Sequence, residues 1–307
     1  MIEVRGVHKS YGNTKALDGF SLVAEGGDLV GLVGPNGAGK TTLIKILATL
    51  VRADAGEIRV AGLDVGHEPS AVRQMTGYLP EVAGIYQEMR VAEFLGFFAD
   101  AFHLRGTRKK EAVDAALAAS GLVPLRARYV EELSLGQKQR LLLAKTTLHS
   151  PKVLLLDEPT TGLDPMARLQ FRQELRSWQS RDKVILISSH ILSDLEEVCT
   201  QVVFIANGRN PAKLEPSSDP GKGPQLFCDL EVISDPRAAK QFAESFPGTR
   251  AVEARGAQLV VAVDGGKEAA AALLSHLIQS GVKLVRFDPR AQTLEELYRD
   301  TFGGSRS

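Results

Sequence analysis

The chain has 307 residues, 44% of them hydrophobic and 24% charged, an ordinary globular composition that excludes a disordered or fibrous protein. Lys plus Arg number 37 and so do Asp plus Glu, so the formal net charge is zero and a mainly electrostatic nucleic-acid binder is not expected. The length suggests about two domains with enough apolar material for a buried core.

Residues 2 to 10 and 20 to 25 alternate in the manner of an antiparallel sheet edge. Leu29 to Val33 is a compact apolar strand that runs into a glycine-rich turn. Beyond that turn Leu43, Ile44, Ile46, Leu47 and Leu50 recur at helical spacing. Gly56 to Val65 reads as a hairpin turning at Gly62. Residues 88 to 149 read as mainly helical, with a Phe-rich segment from Val91 to His103 and a further helix from Arg108 to Ala119. The charges from Arg105 to Lys110 read as a solvated turn. Lys152 to Leu156 and Val184 to Ser188 are buried strands, followed by helices at Pro165 to Ser180 and Ile191 to Cys199. Strands alternating with helices indicate an α/β core with a parallel sheet.

The texture changes after Asn207, where prolines, glycines and serines crowd the chain as far as Pro224, and residues 211–224 read as a linker. Beyond it come strand, helix, two strands, helix and strand: Leu226 to Ile233, Pro236 to Phe246, Arg250 to Ala254, Gln258 to Val263, Lys267 to Ser280 and Val282 to Phe287. The order β-α-β-β-α-β is that of an α+β ferredoxin-like module. A last helix is expected from Thr293 to Phe302, with Gly303 to Ser307 frayed.

Cys199 and Cys228 make no disulfide framework, and a reducing compartment is the simpler expectation. The opening residues lack a basic region followed by an apolar run, so no secretory signal is expected. No apolar run approaches the roughly 20 residues that cross a bilayer. A membrane role would therefore need spanning helices from another chain.

The chemistry concentrates in three places. The run Gly34, Pro35, Asn36, Gly37, Ala38, Gly39, Lys40, Thr41, continued by Thr42, fits the phosphate-binding loop pattern between a strand and a helix. Its glycines let successive N–H groups turn inward around an anion, and the helix that follows adds its positive end. Lys40 is expected to reach the β- and γ-phosphates of a nucleotide, and the Thr41 hydroxyl to ligate Mg²⁺. The apolar strand from Val153 ends in Asp157 and Glu158, which places Asp157 beside the metal and Glu158 near an attacking water. The third place is Leu133-Ser134-Leu135-Gly136-Gln137, ahead of Lys138-Gln139-Arg140.

That third segment resembles the signature of ATP-binding-cassette (ABC) ATPases. Other residues fall in the family's order. Tyr11 matches the aromatic that stacks on adenine, Tyr78-Leu79-Pro80-Glu81 lies where the Q-loop does, Thr161-Gly162-Leu163-Asp164 matches the D-loop, and His190 matches the switch histidine. The resemblance covers roughly residues 1 to 210 and implies a P-loop NTPase core with an antiparallel β subdomain and a helical subdomain over about 88–149. The chain would then comprise a nucleotide-binding domain at 1–210, the linker at 211–224 and the ferredoxin-like domain at 225–307. Two departures stand out. Glu81 occupies the position of the family's usual Gln, adding charge and removing a hydrogen-bond donor. Leu135 replaces a usual Gly, which stiffens the backbone of the signature.

The resemblance further implies ATP and Mg²⁺ as ligands, with Thr41, Asp157 and Glu81 on the metal and Lys40, Glu158 and His190 in catalysis. ATP would lie between the phosphate loop of one chain and Ser134, Gly136 and Gln137 of a second copy or a homologous ATPase, with Asp164 carrying state across the interface. An integral membrane permease would be the further partner, and nucleic acid would not be one. The location implied is the cytoplasmic face of the inner membrane. The wording of Gly77 to Glu81, of Thr160 to Pro165 and of Leu294 to Phe302 resembles exporter ATPases for drugs, sodium, or polysaccharide and gliding systems. The alternatives are a methionine-type importer ATPase with a regulatory C-terminal domain, against which Glu81 argues, and a non-transport soluble ABC ATPase. The Phe94, Phe97, Phe98, Phe102 cluster is read as core, part of it available to line a groove for a membrane partner.

Overall fold

A hairpin opens the chain. In the computed structural model, which describes residues 1–211 and 225–302, β1 (Ile2–Tyr11) pairs antiparallel with β2 (Thr14–Ala24) around the two-residue turn Gly12-Asn13. The second strand begins earlier than the alternation from residue 20 suggests, because this short glycine turn brings the chain straight back. β3 (Leu29–Val33) is buried along its whole length and leads through the glycine loop into α1 (Lys40–Leu47). The helix ends short of Leu50. The Leu50 N–H bonds the Lys45 carbonyl at 2.9 Å, and Thr49 takes φ 62, a Schellman-type reversal that leaves Leu50 exposed.

β4 (Ala55–Val60) and β5 (Leu63–Asp64) form the hairpin expected around Gly62. Then come α2 (Pro69–Met75) and β6 (Thr76–Leu79), neither of which the sequence announces by a long apolar pattern. The helical stretch contains α3 (Val91–Ala101), α4 (Gly106–Ala119) and α5 (Leu135–Thr147). The charged run belongs to α4 rather than to a turn: Arg105 caps the helix, and Lys109, in its first turn, reaches back to Asp100 at 2.7 Å. The remaining elements of this part are β7 (Val153–Asp157), α6 (Pro165–Trp178), β8 (Val184–Ser188), α7 (Leu192–Glu196) and β9 (Gln201–Phe204).

The chain divides into two units, Met1–Pro211 and Ala212–Ser307. In the first, a parallel sheet runs β6-β7-β8-β3-β9 and an antiparallel sheet runs β2-β1-β4-β5. One apolar cluster joins Ile2, Val4 and Phe20 of the antiparallel sheet, Leu43, Ile44 and Leu47 of α1, and Val30, Leu155 and Leu186 of the parallel sheet. Burying one such side chain fully is worth roughly 1.5–3 kcal/mol, so α1 and the loop before it are firmly held. The phosphate loop and both acidic residues thus lie at the carboxyl ends of β3 and β7, two parallel strands with β8 between them, where open α/β sheets hold their ligands.

The second unit contains β10 (Leu226–Val232), α8 (Pro236–Ser245), β11 (Thr249–Arg255), β12 (Gln258–Val263), α9 (Gly266–Gln279), β13 (Leu284–Arg290) and α10 (Leu294–Phe302). Its sheet is antiparallel in the order β11-β12-β10-β13. Cys228, Leu230, Val261 and Val263 pack with Ala239, Leu273 and Leu277 of the two helices as a separate core. The expected linker, apart from Pro211, and the expected frayed end both lie outside the described residues.

Candidate active site

The glycine loop is shaped by contacts that exclude a side chain. A Cβ on Gly34 would lie 2.2 Å from the Ile205 carbonyl oxygen. Gly39 caps α1 at φ 112, and a Cβ there would lie 2.3 Å from the Ala16 carbonyl oxygen. Backbone this close leaves room only for glycine and fixes the loop's N–H groups. Lys40, buried at the start of α1, donates through Nζ to the carbonyls of Gly34 at 2.7 Å and Pro35 at 3.3 Å. The same Nζ lies 4.0 Å from Oε1 of Glu158.

β7 delivers the two acids with opposite surroundings. Asp157 is buried, and its Oδ1 accepts from Ser188 Oγ at 2.7 Å and Thr41 Oγ1 at 3.2 Å. Its Oδ2 is buried and has no hydrogen-bond partner among the described residues. An unpaired buried carboxylate oxygen is costly, and a bound cation would satisfy it. Among the described residues no group of three His, Cys, Asp or Glu side chains gathers as a metal cage. One carboxylate and one hydroxyl suit Mg²⁺, which keeps waters and phosphate oxygens as its other ligands. Glu158 takes φ 48, a left-handed conformation uncommon outside glycine. Its Oε2 accepts from the His190 ring at 2.6 Å and the His190 N–H at 3.2 Å. Tyr78 beside this strand has its hydroxyl pushed up to about 12 by burial and by the Asp157 charge.

A cavity of about 490 Å³ is lined by Asn36, Gly37, Ala38, Gly39, Lys40, Thr41 and Thr42 together with Glu81, Glu158 and His190. Thr161, which opens the segment matched to the D-loop, lines it as well, together with Thr14 and Ala16, which sequence reasoning passed over. The Gly12-Asn13 turn was the available signal for Thr14 and Ala16, since it brings β2 to the loop. Tyr11, half exposed at 50%, lines neither this cavity nor the one described next.

The remaining predicted residues stand apart from the phosphate loop. Ser134, Gly136, Gln137 and Asp164 line a second cavity of about 320 Å³. Ser134 caps α5: its Oγ accepts from the Gln137 N–H, while Gln137 Oε1 accepts from the Ser134 N–H at 2.9 Å. This reciprocal box leaves the Ser134 hydroxyl proton for another acceptor. Asp164 caps α6 by accepting from the Ala167 N–H at 2.9 Å. Leu135 is 59% exposed between them, so the unusual side chain is accommodated at the surface. Gln139 Nε2 donates to the Pro159 carbonyl at 2.6 Å, tying the signature helix to the chain just after Glu158.

Residues 17–161 match the family described as ABC transporter. The Nod factor export ATP-binding protein I of Rhizobium sp. (strain N33) is 36% identical over 215 residues, 70% of this chain and 71% of that protein. The chain belongs to the ABC transporter ATPase family. The daunorubicin resistance ATP-binding protein DrrA3 of Streptomyces coeruleorubidus is 38% identical over 208 residues, covering 68% of this chain and 66% of that one. Among solved structures, an ATP-binding subunit of an ABC transporter is 29% identical, covers 69% of this chain and 88% of its own, and superposes with a TM-score of 0.63. This ABC ATPase therefore binds ATP on a fold that carries both sheets of the first unit. Among its described residues no helix is long and apolar enough to cross a membrane.

Proposed function

We propose that this ABC ATPase is the ATP-hydrolysing subunit of an exporter and that it works on a separate membrane-spanning permease. The observation that carries the enzymatic part is the convergence of Lys40, Thr41, Asp157, Glu158 and His190 through direct contacts of 2.6–4.0 Å. The export part is supported by relatives whose names state export or drug resistance.

Lys40 and the loop N–H groups hold the β- and γ-phosphates, and Tyr11 offers an exposed ring to the base. Thr41 and the buried Asp157 that it contacts at 3.2 Å would hold Mg²⁺, and Glu81 lines the cavity that Thr41 also lines. When bound, the ion neutralises phosphate charge. Glu158 accepts a proton from the attacking water, and His190 orients Glu158 and faces the γ-phosphate. Lys40 stabilises the charge that spreads over the transferring group.

Ser134, Gly136 and Gln137 contact ATP held by a second copy or a homologous ATPase. The support is their separation, since in one chain they line a different cavity from the phosphate loop. Asp164 lies at the same face and transmits the state of one site to the other. The permease docks beside the Q-loop, where Val82 is 86% exposed and Tyr86 and Phe97 present open apolar surface. Phe94 beneath them is fully buried and Tyr86 packs edge-on to Phe97 at 5.5 Å, so this patch has a rigid base. The chain would thus act at the cytoplasmic face of the inner membrane.

The test is capture of the partner. Glu158→Gln protein is tagged, loaded with ATP and recovered from gently solubilised membranes. Co-purification of an integral membrane protein with several spans is expected. Recovery of a ribosome, a DNA complex or only a soluble dimer would overturn the transporter reading.

A further inference from the structure

We propose that Ser188 is a positioning residue for the metal side of ATP hydrolysis: its hydroxyl turns the Asp157 carboxylate so that one oxygen, Oδ2, is presented to the cation. The proposal rests on the ATPase reading above. Ser188 ends β8 and is fully buried, level with Asp157 in the parallel register of β7 and β8. Its Oγ accepts from the Glu158 N–H at 2.9 Å and lies 2.7 Å from Asp157 Oδ1. The Glu158 N–H is a donor only, so the single hydroxyl proton of Ser188 is directed at the carboxylate.

The consequence for Asp157 is an asymmetry. Oδ1 receives two hydroxyl donors, from Ser188 and from Thr41 at 3.2 Å. Oδ2 receives none among the described residues and is buried. Rotating the carboxylate by half a turn would exchange the two oxygens but gain nothing, because the donors stand on one side. Ser188 remains a donor even if Thr41 turns its lone pair to a metal. The oxygen free of donors is therefore the one left for a cation. The same hydroxyl anchors the N–H of Glu158, whose φ of 48 needs such an anchor. A single buried side chain thus orients the metal-facing acid and fixes the backbone of the next residue.

A serine buried merely to finish a strand would need only a main-chain partner, and its loss would lower stability alone. The experiment separates these roles in the full-length chain. Nucleotide binding is titrated first in EDTA. Mg²⁺ is then titrated at fixed ATP, and bound Mn²⁺ is followed by electron paramagnetic resonance, for wild type, Ser188→Ala and Ser188→Thr. The expected result is unchanged metal-free nucleotide binding in Ser188→Ala, with the half-saturating metal concentration raised about 10–100-fold, the scale for losing a group that orients a metal ligand. Ser188→Thr, which keeps the hydroxyl, restores the wild-type requirement. If Ser188→Ala fails to fold, Ser188→Cys keeps the volume with a weaker donor and is expected to show the same shift. A folded variant without the hydroxyl that needs no more metal than wild type overturns the proposal alone. A wild-type chain that binds no nucleotide overturns the ATPase reading and this proposal with it.

Discussion

The ring of His190 and the carboxylate of Glu158 meet at 2.6 Å, and the main-chain N–H of His190 bonds the same oxygen, Oε2, at 3.2 Å. Two donors on one oxygen set the direction of the side chain. Oε1 is left toward Lys40, 4.0 Å away. The proposed base is therefore aimed by a residue 32 positions along the chain.

His190→Ala is expected to lower steady-state hydrolysis by at least about a hundredfold, the scale for losing one oriented donor in a reacting site. Equilibrium ATP affinity should change little, because Lys40 and the loop hold the nucleotide. Parallel turnover and titration measurements check this. Hydrolysis near the wild-type rate would remove His190 from the mechanism.

The sequence disclosed the catalytic parts better than their separation. The phosphate loop was legible because its geometry admits few residues: Gly34 and Gly39 lie where any Cβ would strike a carbonyl oxygen. The buried strands before Asp157 and Ser188 were legible as short apolar runs. α2, β6 and β9 were not, because seven or fewer residues carry too little periodicity. Ser188 passed unnoticed as a site residue for a different reason. Its role depends on strand register, which brings residues 31 apart into hydrogen bonding and leaves no mark in either local sequence. The capping roles of Ser134 and Asp164 were readable in principle from Gln137 three residues on and from Pro165.

Glu174 on α6 gives a pH signature. Burial pushes its carboxyl up to about 7 from an ordinary 4.5, and Arg140 offsets this only in part. The folded state then holds the proton more tightly than the unfolded one. Its stabilising contribution is complete below about pH 4.5 and is lost as pH rises through about 7. Glu174→Gln should raise the thermal midpoint at pH 8 and leave it nearly unchanged at pH 4. Equal shifts at both values, followed by scanning calorimetry, would contradict the assignment.

In the second unit Arg290 joins α10 to the sheet. It bonds Asp229 through Nε at 2.7 Å and Glu296 at 2.7 and 2.8 Å, with its guanidinium over the Phe227 ring. Arg290→Ala should destabilise this unit by about 2 kcal/mol, the scale for charged hydrogen bonds that are partly buried. Arg290→Lys should recover little, since an ammonium cannot bridge two carboxylates as a planar fork does. Denaturant unfolding of the whole chain, followed by a probe in this unit, measures both.

The most direct test of the central claim is turnover by Glu158→Gln, measured beside its equilibrium binding of ATP. The variant should bind ATP as wild type does, associate into an ATP-dependent dimer, and hydrolyse at least about a hundredfold more slowly, as loss of a general base requires. Turnover close to that of wild type would show that Glu158 does not activate the water and would contradict the mechanism built on it.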